Sequence, residues 1–205
     1  GPSPGSSGGG VARRRCRAGV DAVTEASFRT VGSRTVLDIA FLSLQVRDVA
    51  TPDGATVERI VITHPGAVAI VPCIGDEVVL IEQYRAPADT AVLEIPAGKL
   101  DDPEQGKEET ARRELLEETG LVAGDLTWLT EIWTTVGFTD ERITIFLADV
   151  IDERTRMPVG LEEVSARVVR LPLSEAVRMV RTGVISDAKS AIGLLLAHHA
   201  RSEAP

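Results

Sequence analysis

Three glutamates stand close together in an acidic stretch of the sequence. Within residues 98–121, Glu114, Glu117 and Glu118 occupy positions i, i+3 and i+4. On an α-helix this spacing places the three carboxylates on one face within a single turn. Like charges so close destabilise a helix by roughly a few tenths of a kcal/mol per pair, and a hard divalent cation with oxygen ligands would offset that repulsion. The spacing therefore indicates a metal site, with a solvated acidic helix as the alternative.

The helix that carries these glutamates is predicted over residues 108–119. Gly120 follows at the position where helices commonly end. Ala111 and Leu115 fall on the opposite face of this helix. We therefore expect the helix to bury its apolar face against a sheet and to present its glutamates on the other side.

Strands are the commoner predicted element in the rest of the chain. Short apolar runs bounded by turn residues predict strands at residues 67–73, 77–83, 91–95, 126–135, 142–150 and 166–171. Ser174 and Asp187 are the predicted N-caps of two further helices, which end near residues 181 and 200. Strands outnumber helices and do not alternate with them regularly, so we predict an α+β fold with a mixed sheet flanked by helices.

An antiparallel strand region is predicted ahead of this main sheet. Apolar residues alternate over residues 35–47, a Pro-Asp-Gly turn follows at 52–54, and residues 56–63 return as a second strand. This order predicts a hairpin or a meander. The predicted parts of the chain are a flexible tag or arm at 1–19, the amino-terminal strand region at 20–65 and the main domain at 66–205.

Composition and charge limit the classes of function. Hydrophobic residues make up 43% of the 205 residues and charged residues 26%, as in ordinary globular proteins. No apolar run approaches the roughly 18 residues of a membrane-spanning helix. The net charge of −9 disfavours nucleic acid, so we expect neither a membrane nor a nucleic-acid partner. Two cysteines, Cys16 and Cys73, and no recognisable signal peptide favour the cytoplasm.

The acidic stretch resembles the box of the Nudix hydrolase family. That box reads Gly, five residues, Glu, seven residues, then Arg-Glu-apolar-x-Glu-Glu-x-Gly-apolar. Gly98 opens it, Glu104 follows after five residues, and residues 113–121 complete it. Eight residues separate Glu104 from Arg113, one more than the pattern has, so the contact of Glu104 with Arg113 is left open.

The resemblance extends to the ADP-ribose pyrophosphatase branch over about residues 35–200. The segments that carry it are HPGAV at 64–68, EQYR at 82–85, EIPAGKL at 94–100, GFTDER at 137–142 and DAKS at 187–190. It implies a Nudix α/β/α sandwich and a homodimer whose amino-terminal strands pack across the partner. It also implies hydrolysis of a nucleoside diphosphate derivative with Mg²⁺ or Mn²⁺, ADP-ribose giving AMP and ribose 5-phosphate.

Two alternatives stay open at this point. Val136 stands where ADP-ribose enzymes of the family usually carry a proline, so another sugar nucleotide or a dinucleotide is an alternative substrate. A Nudix-like ligand-binding domain without catalysis is the alternative from another class of function. Such a domain would be expected to lose the carboxylates of the box, which this sequence retains.

The resemblance also implies roles for individual residues. The metal ligands would be Glu114, Glu117 and Glu118, with the carbonyl of Ala97, and Glu118 also counts as catalytic. Arg113 would hold a loop carboxylate. These assignments follow from the family's box and not from the helical spacing alone.

Substrate and water would be handled by residues outside the box. Arg85 and Glu94 are the substrate-binding candidates, and a salt bridge at the sheet edge is the alternative for Arg85. The branch carries a further glutamate, on a loop after the box, that positions or deprotonates the attacking water. A count without gaps puts Val164 at its position, which makes the neighbouring Glu162 and Glu163 the catalytic candidates. Glu141 is held in reserve.

Overall fold

Two β-sheets and three α-helices form the part of the chain that this computed structural model describes, residues 27–102, 104–158 and 164–203. The strands are β1 (Arg29–Ile39), β2 (Leu42–Ala50), β3 (Thr56–Thr63), β4 (Ala67–Ile74), β5 (Glu77–Arg85), β6 (Thr90–Glu94), β7 (Ala97–Lys99), β8 (Leu121–Trp133), β9 (Arg142–Glu153) and β10 (Arg167–Pro172). The helices are α1 (Lys107–Thr119), α2 (Leu173–Arg181) and α3 (Ala188–Ser202).

The main sheet has seven strands, with the central order β10-β5-β4-β9-β8. Strands β4 and β9 are parallel and the other neighbours are antiparallel, so the sheet is mixed. Side chains of β4 alternate between two cores: Val68 and Ile70 pack with α1, and Ala69 and Val71 pack with α2 and α3. This α/β/α sandwich confirms the predicted fold class.

The splay of β4 and β5 opens the sheet beside α1. These strands pair only next to their connecting turn, at Cys73 with Val78 and at Ile74 with Glu77. Farther along, β6 pairs with β5 and β7 pairs with β4. The chain between β6 and β7 therefore lies in the gap. Strand β7 was not predicted, because three residues beside a proline are too few to show a period.

The amino-terminal sheet is an antiparallel meander in the order β1-β2-β3. The strand predicted over residues 35–47 is interrupted, because Ala40 turns the chain with a φ of 51° and separates β1 from β2. Cross-strand pairing collects apolar side chains on one face of this sheet; they are Leu37, Ile39, Leu42, Leu44, Val46, Ile60 and Ile62. The residues predicted as a flexible arm, 1–19, lie outside the described residues.

Two of the three predicted capping residues agree with the structure. Gly120 ends α1 with a φ of 79° and donates its N–H to the Leu116 carbonyl. Asp187 caps α3 by accepting a hydrogen bond from the Ser190 amide. The prediction that Ser174 caps α2 was wrong: the helix already begins at Leu173, and Pro172, at the end of β10, is the N-cap residue. No helix among the described residues is long and apolar enough to cross a membrane.

Candidate metal and substrate site

Two of the three box glutamates on α1, Glu114 and Glu118, lie against β7. Glu114 and Glu118 are buried, at 9% and 3% exposure, and Glu117 is half-buried. The Ala97 amide donates a hydrogen bond to Glu118 Oε2 at 3.0 Å. A Cβ placed on Gly98 would lie 1.8 Å from Glu114 Cδ, so only glycine allows this close approach of β7 and the helix. The helix and strand therefore bring Ala97 and Gly98 together with Glu114 and Glu118.

Arg113 pairs with two of these carboxylates. Its Nη2 lies 2.8 Å from Glu114 Oε1, and its Nη1 donates to Glu117 Oε2 at 2.9 Å. Asp101, a loop carboxylate, lies 3.7 Å away. Burial alone would lower the pKa of Arg113, but the charges of Glu114 and Glu117 outweigh it and raise the pKa. The expected loop contact is thus present, and Arg113 also binds two glutamates of the box.

The donor set of this site fits a divalent cation. Two carboxylates, of Glu114 and Glu118, are buried beside a backbone strand, and hard oxygen donors are what Mg²⁺ and Mn²⁺ prefer. Across residues 27–102, 104–158 and 164–203, no three His, Cys, Asp or Glu side chains converge as a ready-made ligand cluster. Arg113 and the Ala97 amide hold oxygens of all three glutamates instead.

Gln105, not Glu104, makes the contact expected of the box's first glutamate. Arg113 Nε donates to Gln105 Oε1 at 3.3 Å, and the Thr110 hydroxyl donates to the same oxygen at 3.2 Å. Glu104 is exposed. Gln105 precedes Arg113 by the seven intervening residues of the family pattern, so the extra residue falls between Gly98 and Gln105. That spacing was the available signal for Gln105.

Arg85 and Glu94, the substrate-binding candidates, form one ion pair at the sheet. Arg85 Nε and Nη2 donate to the two Glu94 oxygens at 2.6 and 2.9 Å. Glu94 is 2% exposed, whereas 43% of the Arg85 side chain is exposed. The hydrogen bond to Glu94 raises the pKa of Arg85, and the charge of Glu118 adds to that shift. Arg85 thus forms the salt bridge that was the alternative to substrate binding, and much of its side chain is still open to solvent.

Lys189 was missed as a member of this group. It is buried, and its ammonium donates to Glu94 Oε2 and, at 2.9 Å, to Asp187 Oδ2. The sequence showed Asp187 as a helix cap and Lys189 as part of a family segment. A lysine one residue into a helix carries no periodic signal for burial, so its partner could not be read from the sequence.

The structure leaves the loop candidates for water activation untested. Glu162 and Glu163 lie outside the described residues, and Val164 is 63% exposed. Glu141 accepts a hydrogen bond from the Thr134 hydroxyl at 2.7 Å and faces His64 Nε2 at 3.5 Å. Its described partners therefore belong to the contact between β3 and the loop at 134–141.

Comparisons with known proteins bear on the family of this chain. A family model of the NUDIX domain matches residues 63–191. The ADP-ribose pyrophosphatase of Bacillus subtilis is 35% identical over 171 residues, covering 81% of this chain and 90% of that protein. The ADP-ribose pyrophosphatase of Mycobacterium tuberculosis is 34% identical over 177 residues, 86% of each.

A solved structure supports the fold independently of close sequence likeness. The crystal structure of an ADP compounds hydrolase matches with a TM-score of 0.71 at 23% identity, covering 85% of this chain and 94% of its own. At that identity the match bears on the fold alone. With the family model, the two relatives and the glutamate helix in agreement, the chain belongs to the Nudix family.

Proposed function

We propose that this Nudix hydrolase cleaves the pyrophosphate bond of a nucleoside diphosphate derivative, with ADP-ribose and water giving AMP and ribose 5-phosphate. The observation that carries the proposal is the pair of buried carboxylates, Glu114 and Glu118, packed against Ala97 and Gly98. Two carboxylates gathered beside a backbone strand offer the hard oxygen donors that a divalent cation prefers, and such a cation can in turn bind phosphate oxygens. The two relatives named ADP-ribose pyrophosphatase support the choice of substrate.

Glu114, Glu117, Glu118 and the Ala97 carbonyl would hold Mg²⁺, with Mn²⁺ as the alternative ion. Such cations neutralise phosphate oxygens and lower the pKa of bound water. The protein's own part is to gather the ligands against their mutual repulsion. Arg113 does this by pairing with Glu114 and Glu117, and Gly98 does it by leaving room for Glu114.

Arg85 would bind the phosphate or ribose of the substrate, and Glu94 would contribute by fixing its guanidinium. A guanidinium offers planar, paired donors that match phosphate oxygens. Two of its nitrogens are directed at Glu94, while the side chain stays 43% exposed. An acidic chain of net charge −9 needs both this cation and the metal to receive an anionic substrate.

A glutamate of the loop before β10 would position or deprotonate the attacking water. Glu163 is the first candidate and Glu162 the second, because a shift of one residue brings Glu163 to the family's position. Glu163→Gln is expected to lower kcat by about 10²- to 10⁴-fold with little change in KM, and Glu162→Gln by less. Parent-like activity of both variants would remove this loop from the mechanism and direct attention to Glu141.

The amino-terminal sheet would pair two copies of the chain in the cytoplasm. Its apolar face exposes 61% of Ile39, 64% of Ile60 and 49% of Leu37. An apolar patch of this kind marks an interaction surface, and the family resemblance supplies a second copy as the occupant. A homodimer through β1, β2 and β3 is therefore part of the proposal.

A pyrophosphatase assay with a substrate panel tests the proposal. The panel contains ADP-ribose, other sugar nucleotides, NADH and a diadenosine polyphosphate, each with Mg²⁺, with Mn²⁺ and with EDTA. We expect cation-dependent release of AMP and ribose 5-phosphate from ADP-ribose. Faster cleavage of another compound would transfer the assignment to that substrate. Binding without hydrolysis of any compound would favour the non-catalytic alternative.

A further inference from the structure

The structure assigns a positioning role to Lys189 at the start of α3: Lys189 fixes Glu94, and Glu94 in turn fixes the guanidinium of Arg85. The inference rests on the proposed function in one respect, because Arg85 is placed against the substrate only there. The geometry that carries it is the shared carboxylate of Glu94. Its Oε2 accepts from Arg85 Nη2 and from Lys189 Nζ, while its Oε1 accepts from Arg85 Nε.

The Lys189 ammonium is held from its other side by the cap of α3. Asp187 Oδ2 accepts from Lys189 Nζ at 2.9 Å, from the Ser190 amide at 2.9 Å and from the Ser190 hydroxyl at 2.5 Å. Burial pushes the pKa of Asp187 upward, but the Lys189 charge and the Ser190 hydrogen bonds together leave it below its ordinary value. Asp187 is therefore a charged partner that directs the ammonium towards Glu94.

A second contact attaches the same helix turn to the backbone beside Glu94. The Ile95 amide donates to the fully buried Ser190 hydroxyl oxygen at 2.9 Å. Two residues farther on, the Ala97 amide donates to Glu118. The segment 94–97 thus joins Arg85 to the glutamate helix, and α3 holds this segment through Lys189 and Ser190.

The charges explain why a lysine is needed and a neutral residue would not serve. Glu94 is buried, and a buried carboxylate must be compensated by cations and hydrogen bonds. With Arg85 as its only cationic partner, Glu94 would take up the whole charge of the guanidinium. Because Lys189 shares Glu94, Arg85 retains an attraction for an anion, and Asp187 balances the additional positive charge.

A double-mutant cycle separates positioning from general support of the fold. Lys189→Met, Arg85→Ala and their combination are compared by kcat and KM for ADP-ribose with Mg²⁺, and by ADP-ribose binding in EDTA. In the parent background we expect Lys189→Met to lower kcat/KM by up to about 10²-fold, the usual scale for a misplaced binding group. In the Arg85→Ala background the same substitution should change kcat/KM by less than about twofold, because Lys189 acts on the substrate only through the Arg85 guanidinium, which this variant lacks.

The matched control is Arg201→Met. Arg201 is a second cation of α3, about 18 Å farther along the helix axis at 1.5 Å per residue, and it pairs with Asp149 at 2.9 Å. Its substitution should leave kcat and KM unchanged. Should Lys189→Met fail to unfold cooperatively, Asp187→Asn carries the same cycle, since it removes the directing charge but keeps an oxygen for Ser190. Its loss must likewise disappear in the Arg85→Ala background.

The outcomes distinguish this inference from the proposed function. An equal loss from Lys189→Met in both backgrounds would overturn the positioning role while leaving hydrolysis intact. Parent-like hydrolysis and binding in Arg85→Ala would do the same. Absence of hydrolysis in the parent would refute the proposed function. If the effects of Lys189→Met and Arg85→Ala on ADP-ribose binding in EDTA are still non-additive, the positioning role of Lys189 would stand. A parent that neither binds nor hydrolyses ADP-ribose would overturn both.

Discussion

Strands β4 and β1 show how differently the two sheets of this molecule are completed. Strand β4 is apolar throughout and seven of its eight residues are buried, whereas β1 mixes apolar and polar residues and ten of its eleven residues are exposed. The main sheet receives α1 on one face and α2 and α3 on the other. The amino-terminal sheet gathers its apolar side chains on one face that this chain leaves half open. The apolar residues of the main sheet are thus covered within the chain, whereas the amino-terminal sheet leaves its apolar face half exposed.

The candidate site lies in the main sheet and the helices packed on it. The glutamates of α1, the backbone of β7 and the Arg85–Glu94–Lys189 group are all held by elements packed on the main sheet. Buried charges need such fixed partners, because an unpaired buried carboxylate is costly. The comparison predicts that substitutions in the sandwich change the reaction, whereas substitutions on the amino-terminal face change association first.

Among the variants that compare the two sheets, Glu118→Gln should have the largest effect. If the glutamates bind the cation, turnover should fall on the order of 10²- to 10³-fold, while the Ala97 amide keeps an oxygen acceptor and the fold persists. Without metal, the melting temperature should stay equal or rise slightly, because one like charge is removed from the helix face. Glu109→Gln, an exposed acid of the same helix, is the control. Near-normal turnover of Glu118→Gln would refute the assignment of Glu118 as a metal ligand.

Gly98→Ala should be the most disruptive substitution for the packing of the sandwich. The new methyl group would overlap Glu114 Cδ at 1.8 Å, so the strand or the helix must move. Overpacking of this kind costs about 1–3 kcal/mol of unfolding free energy and should also weaken metal binding. Gly137→Ala, where nothing lies within 4 Å, is the matched control in urea unfolding. Equal stability of the two variants would contradict the close approach.

The sequence was informative where one element determines the outcome and uninformative where two elements meet. The glutamate face of α1 follows from helical spacing, and the end of the helix follows from Gly120, so both were predicted. Lys189 meets Glu94 only because α3 returns to the end of β6, 95 residues away along the chain. Gln105 contacts Arg113 in place of Glu104 because the one extra residue of the loop lies before Gln105, and the sequence alone does not fix that position. Ser174 does not cap α2, because β10 continues to Pro172 and the helix begins directly after it at Leu173.

Ile60→Glu tests the proposed dimer contact of the amino-terminal sheet. Ile60 is 64% exposed on the apolar face, and a carboxylate there would be buried without a partner in a dimer. We expect the dimer dissociation constant to rise roughly tenfold or more, measured by sedimentation at several concentrations. Thr35→Glu adds the same charge on the other face of β1 and should leave association unchanged. A parent that is monomeric at micromolar concentration and fully active would refute the proposed interface.

The smallest expected effect concerns His64, at the contact between the two regions. His64 Nδ1 accepts the Gly66 N–H at 3.0 Å, its ring meets Phe41 edge to face, and its Nε2 faces Glu141. Burial lowers its pKa below the ordinary 6.5, and Lys99 lowers it further; Glu141 and Asp140 act in the opposite direction without cancelling the shift.

The sign of the resulting pH dependence follows from proton binding. Below pH 6.5 the unfolded chain takes up a proton on His64 before the folded chain does, so this residue makes stability decline as the pH falls. His64→Asn keeps an acceptor for Gly66 but does not titrate, and its urea-unfolding free energy should depend less on pH between about pH 8 and pH 5.5. His198→Asn, exposed on α3, should follow the parent. If His64→Asn instead retains the parent's full decline, His64 is not the source of the acid sensitivity, and the burial of its ring beside Phe41 and Glu141 does not shift its pKa as described.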